Sequence, residues 1–134
     1  MSQYALSPPA AEAEGAEGIY AGTRFIATKE NPTHDDVKKV LIETNAEDLI
    51  RIPDPPGYSN FVRTAVGLEL EKMFKEGAGG PALNQYYMDK GGFQKGMLLG
   101  IKDEGIINAS QAINSITSIK TCKEVVDEMA SAFE

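Results

Sequence analysis

Two breaks decide what this chain can fold into. Arg51-Ile52-Pro53-Asp54-Pro55-Pro56-Gly57 crowds three prolines together, and Gly77-Ala78-Gly79-Gly80-Pro81 sets three glycines ahead of another proline. Proline fixes φ and removes a backbone donor, and glycine is a poor helix interior residue, so no helix runs through either stretch. In 134 residues the remaining pieces are short, yet the chain is long enough to bury one core. The expected organisation is a flexible acidic arm over 1–18, a small N-terminal lobe over 19–52, a proline connector over 53–57 and a helical block over 58–134, together one globular domain. The expected fold class is mainly α: a small helical domain of four to six helices, with room for two short N-terminal strands and a disordered or extended N-terminal arm.

The arm carries Glu12, Glu14 and Glu17 without a basic residue and has few large apolar groups. Little burial offsets the entropy of ordering it, so it reads as a tail or as a peptide that orders on a partner through Tyr4 and Leu6. Residues 19–28 are rich in β-formers and fit a short strand or an extended surface segment. Thr33 is the expected N-cap of a helix with Asp35 and Asp36 in its first turn, where carboxylates suit the helix dipole. Val37, Val40, Leu41 and Thr44 then recur on one helical face, and the helix should end near Asn45. Residues 47–52 alternate weakly, as a strand does.

Beyond the connector, Ser59 or Asn60 is the expected cap of a helix reaching Glu76, apolar around much of its circumference from Phe61 to Phe74. Glu69 lies within that apolar arc, with Lys72 in reach as an edge partner. Short helices are expected over 82–89 and 92–101, and another from Asn108. The last helix opens with Thr121-Cys122-Lys123-Glu124, a capping box, and presents Cys122, Val125, Val126, Met129 and Phe133 on one side.

The chemical inventory is thin. The chain has one histidine, one cysteine and no tryptophan. It contains no G-x-x-x-x-G-K-[ST], G-x-G-x-x-G or G-x-S-x-G motif, and it cannot supply the four Cys and His ligands of a structural zinc site. A small enzyme would have to use His34 with Asp35 or Asp36, whereas a first-turn histidine is ordinarily exposed. Cys122 on an apolar face behaves as a small hydrophobe. No resident cofactor, metal or catalytic residue is therefore expected. The net charge of −7, with both ends acidic, disfavours nucleic acid and anionic membranes. No apolar run approaches a membrane span and the N-terminus lacks a signal-peptide pattern, so an intracellular location in the cytoplasm or an organelle interior is expected.

Three features invite contacts. Gly92, Gly96 and Gly100 form a bare strip if helical, open to close backbone approach; as turn residues they supply positive φ. Tyr86, Tyr87 and Phe93 cluster with Met88 and Met97, either as core or as a surface for a protein or flat ligand. Pro53, Pro55 and Pro56 offer a polyproline-type docking strip. Residues 92–113 resemble an EF-hand in outline, with Gly105 at the sharp turn and Ile107 at the β contact. The ligand positions fall on Gly100, Lys102 and Gln111, which do not supply the oxygens calcium requires.

The reading that follows is a non-catalytic structural or adaptor subunit of a larger assembly. It would bind protein partners through Tyr4, Leu6, Pro53, Pro55, Pro56, Tyr86, Tyr87, Gly92, Gly96 and Gly100. The alternative is a helical binding module responsive to a small molecule or divalent cation.

Overall fold

The computed structural model describes residues 8–54 and 56–131. Tyr4, Leu6, Pro55 and Phe133 lie outside them. A short helix α1 (Pro8–Ala13) falls within the expected arm. Residues 19–28 do not form the expected strand: they contain the helical turn α2 (Thr23–Ile26). A strand needs a partner along its length, and here pairing is limited to one parallel bridge between Thr28 and Lys120.

Helix α3 spans Asp35–Glu43, and its cap is His34 rather than Thr33. His34 Nδ1 accepts the Asp36 amide at 3.2 Å. Thr33 instead donates its amide to Asn31 Oδ1 at 2.9 Å, in a turn ahead of the helix. Val37 and Leu41 are buried, as the periodicity requires.

Strands β1 (Ile50–Asp54) and β2 (Gly57–Phe61) pair antiparallel, from Ile50 opposite Phe61 to Asp54 opposite Gly57. Of the stretch 53–57 expected as a stiff connector, Pro53, Asp54 and Gly57 therefore belong to a hairpin, with Pro53 inside a strand. A two-stranded ribbon leaves each strand a free edge, which tolerates proline's missing donor. The hairpin also claims Ser59 and Asn60, so the next helix starts later than expected. Helix α4 runs Ala65–Lys75 with Thr64 as its cap. Thr64 Oγ1 accepts the Gly67 amide at 3.1 Å and donates to the Gly105 carbonyl at 2.9 Å. Helix α5 (Gly80–Asp89) follows the glycine break.

The expected helix over 92–101 is instead a single wide π-type turn, Gln94–Leu98. Gly92 and Gly100 hold φ of 45° and 71°, beyond the reach of a regular helix. The glycine strip thus divides into two turn glycines and one close approach. At Gly96 a Cβ would lie 2.2 Å from the Ile106 carbonyl oxygen. Asn108 does not start a helix but bridges Phe61; the following 3-10 turn, Gln111–Ser115, is capped by Ser110. Helix α6 (Cys122–Ala130) carries the full Thr121–Glu124 capping box.

Two apolar clusters meet across an extended seam. Ile107 belongs with Val37, Leu41, Met97, Ala109 and Ile113; its neighbour Ile106 belongs with Ile50, Ile52, Phe61, Val66 and Leu70. Alternation along an extended chain sends adjacent side chains to opposite faces. The seam is tied alongside β2 by Val62 N–H to Ile107 O (2.9 Å) and Ala109 N–H to Asn60 O (3.2 Å). Each fully buried isoleucine contributes about 2–3 kcal/mol of hydrophobic stabilisation. Among the described residues no helix is long and apolar enough to cross a membrane.

Candidate functional site

The second cluster does not close over itself. It opens into a cleft of about 390 Å³ between the hairpin, α4, α5 and the seam. Ile52 and Phe61 come from opposite strands, Leu70 from α4, Leu83 and Tyr87 from α5, and Ile106 from the seam. The helix face that packs Leu83, Tyr86 and Tyr87 against this cluster follows from their spacing.

Tyr87 and Phe93 form the aromatic wall. Their rings meet edge to face, with centroids 5.6 Å apart at 85°, the arrangement favoured by ring quadrupoles. Gly92 makes room for it: a Cβ there would lie 2.7 Å from Tyr87 Cζ. Burial raises the pKa of the Tyr87 hydroxyl, and a hydrogen bond from the Phe93 backbone partly offsets the rise. Burial likewise raises that of Tyr86, with the negative charge of Glu69 adding to it. Glu69 pairs with Lys72 at 3.6 Å, at the edge of the core as its position on the helix suggests.

The polar lining is uncharged apart from one carboxylate. Asp54 Oδ2 accepts the Ser59 hydroxyl at 2.7 Å, and Asn84 and Asn108 supply amides. No Lys, Arg or His stands among the described lining residues.

Of the residues singled out from sequence, Pro53 and Tyr87 line this cleft and Gly92 supports it from behind. Tyr86 packs on the core beneath, with the Lys90 ammonium 5.5 Å from its ring centroid. Pro56 is exposed at the hairpin tip. Gly96 sits in the backbone crossing and Gly100 against the His34 ring. Ile52, Phe61, Leu83 and Asn108 escaped notice as site residues. The signal that could have found them was the hairpin, whose alternation turns Ile52 and Phe61 inward.

His34 and Cys122 stand apart from the cleft. His34 serves as a cap, 3.7 Å from Asp36. The Cys122 amide donates to both carboxylate oxygens of Glu30 at 3.0 Å, and this bond is the main reason the Glu30 pKa lies below its usual value. The Cys122 thiol points to Thr28 Oγ1 at 3.5 Å. The EF-hand outline also dissolves: Lys102–Glu104 is a 3-10 turn, and no group of three or more metal-binding side chains comes together among the described residues.

The family model "NMO: Nitronate monooxygenase" matches residues 9–131. The chain belongs to the nitronate monooxygenase family. A structure of FabK from Thermotoga maritima superposes with a TM-score of 0.75 at 24% identity, covering 93% of this chain and 39% of that one. The M276A mutant of the same protein gives 0.68 at 21%, covering 93% and 37%. The chain thus spans well under half the length of these structures. A search of curated protein sequences gives no match.

These findings correct two readings. The chain is not a mainly α domain in its own right but part of an α/β fold. Local periodicity reports helices equally well in both, and short strands of such a fold carry little pattern of their own. Nor is it a structural or adaptor subunit, or a cation-responsive module: the family is one of oxidoreductases. The scarcity of histidine and cysteine misled because oxidation need not rest on a histidine or cysteine nucleophile.

Proposed function

We propose that this chain forms part of an oxidoreductase that oxidises nitronates, the deprotonated forms of nitroalkanes, with dioxygen. The family match over residues 9–131 carries this reading, and the open apolar cleft beside Tyr87 and Phe93 supports it as a place for an organic substrate.

A monooxygenase must pass electrons to dioxygen, which calls for a redox group. The cleft does not fit a phosphorylated one, because its described lining offers carboxylate and amide groups and no cation. No step is therefore assigned to such a group here. The chain's own residues bind and orient: Ile52, Phe61 and Ile106 exclude water, and Tyr87 presents a hydroxyl steadied by the Phe93 backbone.

The test is oxygen uptake by the polypeptide carrying this chain, purified from its source, on addition of an alkyl nitronate. Uptake above the spontaneous rate, saturating with nitronate, is expected. Uptake that is no faster than the spontaneous rate would overturn the reading.

A further inference from the structure

The charge of the cleft conflicts with the charge of the substrate. A nitronate is an anion, yet the described lining brings it no Lys, Arg or His and one carboxylate, Asp54. Glu69, close enough to act on Tyr86, lies outside the lining and is paired with Lys72. An anion placed here would lose hydration and find only uncharged donors, the Asn84 and Asn108 amides and the Tyr87 hydroxyl, with no counter-charge.

The apolar part of the lining has the opposite preference. Ile52, Phe61, Leu70, Leu83 and Ile106 form a continuous hydrocarbon surface faced by the Tyr87–Phe93 pair. At about 30 Å³ for each water-sized group, the volume admits roughly a dozen non-hydrogen atoms. Resting on the nitronate reading, we infer that this cleft is the tail pocket of the site: it takes the uncharged chain of a medium-length substrate and leaves the anionic head outside it. Asn84, Asn108 and the Tyr87 hydroxyl tolerate a polar atom along that chain.

The experiment compares two probes of equal length, 1-octanol and octanoate, by NMR titration of the polypeptide carrying this chain at pH 7. Saturable shifts at Phe61, Leu83, Tyr87 and Phe93 with octanol are expected, and octanoate should bind at least about tenfold more weakly. Asn84→Lys, an exposed position on α5 that leaves the core untouched, should bring octanoate level with octanol. Equal binding of both probes to the unmodified chain, binding elsewhere, or no binding at all overturns the inference. Absence of nitronate-dependent oxygen uptake with octanol binding intact sinks the nitronate reading alone, so the two failures are distinguishable.

Discussion

Gly105 lies against Gly96 backbone to backbone: a Cβ on Gly105 would stand 2.2 Å from the Gly96 nitrogen and 2.8 Å from the Gly92 oxygen. The wide turn Gln94–Leu98 and the seam can cross only because neither carries a side chain there. Both contacts are with backbone, which cannot swing aside. Gly105→Ala and Gly96→Ala should each destabilise the fold by about 3 kcal/mol, the upper end for overpacking. Thermal unfolding checks this; an unchanged midpoint would show that the crossing is loose.

Thr64 joins the same crossing from the other side. Its hydroxyl caps α4 through Gly67 and donates to the Gly105 carbonyl. Removing it strips a cap and orphans a buried acceptor, so Thr64→Ala should lose about 2 kcal/mol. Thr64→Ser should recover most of it in a denaturant titration, and equal losses in both variants would point to packing instead.

Gly92 carries a different burden. At a φ of 45° and against the Tyr87 ring, Gly92→Ala should displace that ring and break the edge-to-face pair. Near-ultraviolet circular dichroism should lose aromatic signal while far-ultraviolet helix signal stays. A full near-ultraviolet spectrum in the variant would contradict this.

The capping box of α6 predicts a pH dependence. Hydrogen bonds from the Thr121 backbone and hydroxyl lower the Glu124 pKa from 4.5. A carboxyl whose folded pKa is depressed binds protons more readily when unfolded. Its stabilisation is therefore complete above about 4.5 and is lost as pH falls through the lower folded value. Unfolding midpoints measured between neutral pH and that acid window should fall less steeply in Glu124→Gln than in the parent. Parallel curves would remove Glu124 from the account.

Legibility followed the range of the interaction. Thr121 and Glu124 are three residues apart and their box was readable from spelling alone, as were the α3 stripe of Val37 and Leu41 and the pairing of Glu69 with Lys72. The cap shifted from Thr33 to His34 because Asn31 turned the chain first and an imidazole nitrogen took the acceptor's role. Pro53 hid the hairpin, since a proline-rich stretch reads as a connector unless its partner strand is known. Tyr87 and Phe93 were visible as a cluster, whereas the cleft they wall depends on Ile52, Phe61 and Ile106, far apart in the chain. The family match runs over residues 9–131, and the structural likeness covers 93% of the chain at 24% identity.

Thr28 and Lys120 pair side by side, and Lys29 donates to the Lys120 carbonyl at 2.9 Å. The same closure is reinforced by the Arg24 guanidinium, which donates to the Ser118 carbonyl at 3.2 Å, by the Ser110 amide, which donates to Thr23 Oγ1 at 2.9 Å, and by the Cys122 amide on Glu30. The residues that wall the cleft thus lie in a stretch of chain whose two ends are clamped together by side chains as well as by backbone.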